Sequence, residues 1–285
     1  MEKKALTLTR FKKMKQDRVP ITVVTAYDYP SARLAEEAGV DAILVGDSLG
    51  NVVLGYESTV PVTIDDMVYH TRAVTRGATN TFIVTDMPFA TYHGSLDVTL
   101  KHAARIMQEG LANAVKMEGG AEIAEAVQGL VRAGIPVMAH VGLTPQSINQ
   151  IGGYRVQGKS SKQAQKLLED AKALEQAGAF SIVLELVTDE IAELITDKLA
   201  IPTIGIGAGP ATDGQVLVFH DLLGYAADIV PKKFVKTYAN VGDIIRSGIS
   251  EYIREVKERS FPTKEHAFHI EQEELQPLYG SVPSK

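Results

Sequence analysis

"AILVGDSLG", residues 42–50, is a short apolar run that ends in a carboxylate and a hydroxyl. Ala42, Ile43, Leu44 and Val45 show no polar alternation, which is the pattern of a parallel strand buried on both faces. Gly46, Asp47, Ser48 and Gly50 follow at once. Asp, Ser and Gly are turn residues. The end of the run therefore reads either as a turn or as a site held at the end of a strand, and the rest of the chain must decide.

The pattern recurs in seven further runs: "ITVVTAYD" (21–28), "FIVTDMPF" (82–89), "AVKMEGG" (114–120), "PVMAHVG" (136–142), "SIVLEL" (181–186), "PTIGIGAG" (202–209) and "DIVPKKF" (228–234). Between most of them lie segments that are apolar at helical spacing and end in Gly, such as "ARLAEEAG", "LDVTLKHAARIMQEG", "EIAEAVQGLVRAG" and "AQKLLEDAKALEQAG". "TIDD" at 63–66 reads as a capping-box start, with Asp66 in the place of the usual Glu or Gln. Parallel strands need such crossovers, and eight strand–helix units in one domain predict a (β/α)8 TIM barrel. A doubly wound sheet is the alternative. Its phosphate fingerprint is missing, because "GIGAG" at 205–209 lacks the G-x-G-x-x-G spacing and reads as a tight turn at a strand end.

A chain of 285 residues suits one such barrel, since α/β barrels run to about 250 residues. With no cysteine, disulfides, thiolate metal sites and a cysteine nucleophile are excluded. A net charge of -6 argues against nucleic acid as a partner. The basic cluster between Lys3 and Arg18 is broken by Glu2 and Asp17 at its ends and reads as a solvated helix face. No signal peptide and no membrane-spanning run is visible, which predicts a cytoplasmic protein with no membrane partner. The expected organisation is one catalytic domain over 1–262, N-terminal helix included, and a polar tail over 263–285.

Barrel active sites lie at the C-terminal ends of the strands. Six of the eight candidate strands carry an ionisable group there: Asp28, Asp47, Asp86, Glu118, His140 and Glu185. Each alone is ordinary as a turn or cap residue. Together at one mouth the carboxylates would repel one another, and a cation resolves the conflict. Oxygen donors without Cys favour Mg²⁺ or a similar ion over Zn²⁺. Asp47, Asp86 and Glu118 come from successive strands and are the metal candidates, with separate structural roles as the alternative.

Lys116 and Glu118 are two apart on one strand and share a face. Lys116 reads as a structural ion pair, a cation for an anionic substrate, or a Schiff-base amine. Glu185, flanked by apolar residues in "IVLELV", reads as a proton-transfer group or as a carboxylate paired with a basic residue. Ser48 either hydrogen-bonds a ligand or caps the following loop.

"TAYDYPSA", "VGDSLGNVVLGYESTVPVT", "TDMPF", "VKMEGG", "HVGLTPQS", "GGYRVQGK", "LELV", "IGIGAGPATDGQVLVFHDLLG" and "EHAF" together resemble the ketopantoate hydroxymethyltransferase family over about residues 7–268. One departure is "PKKF" at 231–234, where the family pattern has one basic residue between Pro and Phe. The resemblance implies a barrel of the phosphoenolpyruvate/pyruvate type. It also implies transfer of a one-carbon unit from 5,10-methylenetetrahydrofolate to 3-methyl-2-oxobutanoate, with Mg²⁺ stabilising an enolate. Carried over by residue, Asp47 and Asp86 hold metal and keto acid, Ser48 and Lys116 contact substrate, Glu118 is a metal ligand, and Glu185 is the base. The resemblance further implies a ring-shaped homo-oligomer, up to a decamer. A Lys116 aldolase, a relative of isocitrate lyase, and a non-catalytic barrel are the other readings. The isocitrate lyase relatives usually carry a cysteine motif that this chain lacks. "GGYRVQGKSSK" (152–162) reads either as a closing loop or as plain surface.

Overall fold

In the computed structural model, which describes residues 6–225 and 232–279, the apolar runs become short parallel strands. They are β1 (Ile21–Thr25), β2 (Ala42–Val45), β3 (Phe82–Asp86), β4 (Ala114–Glu118), β5 (Val137–Gly142), β6 (Ser181–Glu185), β7 (Thr203–Ile206) and β8 (Gly214–Leu217). They pair in chain order, and β1 pairs with β8 to close the barrel. The (β/α)8 expectation stands, and the doubly wound sheet is overturned by that closure.

The eighth strand is not where the sequence suggested. Of the expected run 228–234, residues 228–231 lie outside the described residues, and 232–234 are loop. The strand is instead "GQVL", joined to β7 by residues 207–213 without an intervening helix. Outward-facing Gln215 is exposed and bonds Gly209 O and the Thr212 hydroxyl at 2.9 Å each. A polar outward residue breaks the continuous apolar run that marked the other strands.

Elsewhere the helices follow their sequence signals. Helix Ile64–Gly77 starts with the capping box of Thr63 and Asp66, and helix Tyr29–Ala38 with that of Asp28 and Ser31. Asp28 is thus a cap residue. Helix Leu8–Gln16 is more than a solvated face. Phe11 and Met14 are buried among Phe82, Val84 and Met138, and Phe11 meets the Phe82 and Phe180 rings edge-on at 5.2 and 5.4 Å. Phe82 opens β3 and Phe180 precedes β6, so the helix plugs the N-terminal end of the barrel. Lys15 ties it down through Asp213 Oδ2 at 2.7 Å.

By internal contacts the chain groups into Met1–Tyr238 and Ala239–Lys285, whereas the sequence reading drew its boundary after residue 262. The second unit carries helix Val241–Glu258 and helix Gln272–Tyr279. Within it Tyr252 and Phe261 pack edge-to-face at 5.8 Å.

Candidate active site

Period-two alternation along the strands builds the site. Phe82 and Val84 of β3, Ala114 of β4, Met138 of β5 and Val183 of β6 form an apolar cluster inside the barrel. One or two steps further along the same faces come Asp86, Lys116 and Glu118, His140, and Glu185. The parallel register then sets acid beside base. Asp86 is the Cα partner of Lys116, and Glu118 that of His140. Around the rim the order is carboxylate, ammonium, carboxylate, imidazole, carboxylate.

Asp47, Ser48, Asp86, Lys116, Glu118, His140 and Glu185 all line one cavity of about 640 Å³. Of the six strand-end groups all but Asp28 are therefore brought together, along with Ser48 and Lys116. Tyr154 of the 152–162 loop also lines the cavity, while Ser160 of that loop caps helix Ser161–Gln176. At the far side, Lys232 pairs with buried Asp221 at 2.7 Å.

After β2 the opening stretch is a turn, and its Asp47 and Ser48 line the cavity. Gly46 leaves β2 where a Cβ would sit 2.8 Å from Ser48 Oγ, so only Gly fits without a shift. The Asp47 N–H donates to Asp86 Oδ2 at 3.0 Å. Ser48 sits at the start of helix Leu49–Val52 but makes no capping bond; its hydroxyl lies 2.9 Å from the Tyr27 hydroxyl.

Lys116 Nζ stands 2.9 Å from Asp86 Oδ1 and 3.8 Å from Glu118 Oε1. Burial opposes its charge, but Asp86, Glu118 and Asp47 together hold the ammonium above its ordinary value. A Schiff base requires the neutral amine, so these carboxylates count against the aldolase reading. Burial, then the neighbouring Asp86 and Glu118, raises Asp47 well above the usual carboxylate range. Burial also raises Asp86, with Lys116 acting against it. Glu118 goes the other way: burial works against its charge, yet His140 and Lys116 hold it low.

His140 has Nδ1 3.5 Å from Glu118 Oε1 and Nε2 3.3 Å from Glu185 Oε2, the latter a charge contact without hydrogen-bond alignment. Burial and Lys116 oppose a proton here, but Glu118 and Glu185 outweigh them and push the imidazole up to about 9. Lys116 Nζ is also 3.1 Å from Nδ1, a contact that suits the neutral ring as acceptor. The carboxylates favour the charged ring at neutral pH, and a cation beside them would favour the neutral one.

Glu185 is less enclosed than its apolar flanks suggested. Its side chain is 15% exposed, against 3% for Glu118. Leu184 points to the outer face and is buried there, so it does not surround Glu185. Gly142 secures the backbone beside it. At φ +99° a Cβ there would stand 2.3 Å from Glu185 O, a place open to Gly alone.

Among the described residues no three His, Asp or Glu side chains are arranged to hold one ion by themselves. Mg²⁺ does not need that, since it is commonly held by one or two carboxylates together with waters and substrate oxygens. The residues fit such a mode. Asp86 Oδ1 is a buried carboxylate oxygen with an ion pair but no aligned hydrogen-bond donor among the described residues, and Asp47 and Asp86 carry charges that burial disfavours.

Two residues escaped the sequence reading. Gln146 is buried in the turn Pro145–Ser147 after β5, and Tyr92 is buried in the loop after β3. A search for ionisable groups at strand ends passes over an amide in a turn.

Residues 5–264 match the family model described as ketopantoate hydroxymethyltransferase. The chain belongs to the ketopantoate hydroxymethyltransferase family. It is 60% identical over 274 residues to the 3-methyl-2-oxobutanoate hydroxymethyltransferase of Bacillus cereus, covering 96% of this chain and 98% of that one. Against the Geobacillus sp. enzyme of the same name the identity is 59%, with the same coverage. Solved structures share the family's fold at low identity. A 2,3-dimethylmalate lyase of the PEP mutase/isocitrate lyase superfamily superposes with a TM-score of 0.56 at 19% identity, covering 96% of this chain and 91% of that one. A phosphonopyruvate hydrolase in complex with oxalate and Mg²⁺ gives 0.56 at 15% identity, covering 92% and 93%. These likenesses speak for the barrel alone.

Proposed function

We propose that this cavity is the active site for hydroxymethyl transfer to 3-methyl-2-oxobutanoate, with 5,10-methylenetetrahydrofolate as one-carbon donor and Mg²⁺ as the cation. The activity follows from family membership: the chain is a hydroxymethyltransferase of pantothenate biosynthesis. The observation that carries the site assignment is the acid–base row Asp86, Lys116, Glu118, His140 and Glu185 lining one cavity with Asp47 and Ser48.

Asp47, Asp86 and Glu118 would hold the metal, directly or through water. When bound, Mg²⁺ supplies Lewis-acid polarisation of the keto acid's oxygens. Lys116, kept charged by its neighbours, offsets the charge of the substrate carboxylate. The Ser48 hydroxyl donates a hydrogen bond to the same substrate, and Tyr27 orients it. Glu185 takes the proton from C3, the branched carbon beside the carbonyl, and His140 steadies that carboxylate from 3.3 Å. The substrate carbon so activated bonds to the methylene carbon of the folate, whose two C–N bonds break; water supplies the hydroxyl, and tetrahydrofolate leaves with the two protons on its nitrogens.

A homo-oligomeric assembly and a cytoplasmic location belong to the same proposal and are supported by the family resemblance. Among the described residues no helix is long and apolar enough to cross a membrane. Turnover with both substrates, with Mg²⁺ and with excess chelator, tests the reading. Loss of turnover in chelator that is restored by Mg²⁺ supports it, and full activity in chelator contradicts it.

A further inference from the structure

Gln146 makes four hydrogen bonds around the site. Its side-chain Nε2 donates to Asp47 Oδ2 at 2.8 Å and to Met87 O at 2.9 Å. Its backbone N–H donates to Glu118 Oε2 at 3.1 Å. Its Oε1 accepts from the Tyr92 hydroxyl at 2.7 Å. Both amide hydrogens and the amide oxygen are thus engaged, on a side chain only 4% exposed.

The chemistry of the partners sets which way the amide points. Met87 O can only accept, so the nitrogen must face it and Asp47. Tyr92 seals the choice from the other end. Its hydroxyl receives the Glu118 N–H at 3.1 Å and has one proton to give, for which Gln146 Oε1 at 2.7 Å is the nearer acceptor and Glu118 O at 3.1 Å the farther. Tyr92 is itself buried. One residue therefore ties together four segments: its side-chain amide holds the end of β2 at Asp47 and the exit of β3 at Met87, and its backbone N–H holds the end of β4 at Glu118, all from the turn after β5.

We infer that Gln146 is a positioning residue: it fixes the carboxylates of Asp47 and Glu118 in one frame for the metal and keto acid, and Tyr92 acts through it by fixing its amide. This rests on the proposed role of Asp47 as a metal ligand. Groups that orient ligands in this way commonly matter 10–100-fold for metal affinity or activity.

The test uses Mn²⁺ as the probe, with binding followed by electron paramagnetic resonance in the absence of substrates. The proteins are the wild type, Asp47→Asn, Gln146→Met, Tyr92→Phe and the Gln146→Met/Tyr92→Phe pair. Methionine keeps the length and shape of glutamine, and thermal denaturation verifies that each variant is folded. The expected result is a Kd for Mn²⁺ raised about 10–100-fold in Gln146→Met and less in Tyr92→Phe. The double variant should be no weaker than Gln146→Met, because Tyr92 acts through the amide. A folded Gln146→Met that binds Mn²⁺ like the wild type, while Asp47→Asn does not, overturns the positioning role. Wild-type binding in Asp47→Asn overturns the metal reading itself. An additive double variant overturns the claim that Tyr92 works through Gln146.

Discussion

Lys116 Nζ lies 2.9 Å from Asp86 Oδ1, and each side chain is 4% exposed. Neither ion is near enough to bulk water to be solvated alone. Removing one partner of such a pair costs about 3–5 kcal/mol, because the other is left buried and unbalanced. Lys116→Met should therefore lower the unfolding free energy by about that amount in urea, in chelator. Saturating Mg²⁺ should recover part of it. An unchanged urea midpoint would return Lys116 to a minor role.

Asp47 predicts the opposite sign. Burial and the charges of Asp86 and Glu118 make its ionised form unfavourable. Asp47→Asn removes that repulsion, and the amide oxygen still accepts from Gln146. The metal-free melting temperature should stay or rise. The Mg²⁺-induced rise should vanish, where the wild type gains about 2.7 kcal/mol at one hundred times Kd. Scanning fluorimetry with Mg²⁺ and with chelator reads both, and a normal Mg²⁺ response in Asp47→Asn would rule out the ligand role.

His140 sets a pH dependence. Its folded-state value of about 9 lies above the unfolded value of about 6.5. A raised value means that the fold favours the protonated ring. Its contribution is whole below about pH 6.5 and is lost as pH rises through about 9. In chelator, urea midpoints of the wild type should fall over that window, and those of His140→Asn should fall less. Parallel curves for the two proteins would contradict the Glu118–His140–Glu185 arrangement.

The barrel was legible because its strands are buried on both faces and so read as continuous apolar runs, from Ala42–Val45 to Ser181–Glu185. That signal failed at β8, where polar Gln215 faces outward and breaks the run. Asp47, Asp86, Lys116, Glu118 and Glu185 were legible because an ion at the end of an apolar strand is conspicuous. Asp28 has the same pattern and is only a helix cap, a distinction that depends on which way the backbone turns after Thr25. Gln146 and Tyr92 were hidden because their roles come from hydrogen bonds between segments distant in sequence: Gln146 to Asp47 spans 99 residues. Glu185 looked more enclosed in sequence than it is, since neighbours along a strand face the other way.

Phe11 lies at the end of the barrel opposite the site. Phe11→Ala should cost about 3–5 kcal/mol, the usual loss for a buried Phe. The turnover of the folded fraction should be unchanged. A loss of kcat at unchanged stability would show that the plug helix reaches the chemistry.

Glu185 is proposed to remove the C3 proton of 3-methyl-2-oxobutanoate. The most direct test is exchange of that hydrogen with solvent deuterium, followed by NMR with Mg²⁺ and no folate. Glu185→Gln keeps the size and the contact with His140 but has no basic oxygen. The wild type should exchange, and Glu185→Gln should still bind the keto acid but exchange about 10²–10⁴-fold more slowly. Near-normal exchange in Glu185→Gln would contradict it and place the base elsewhere.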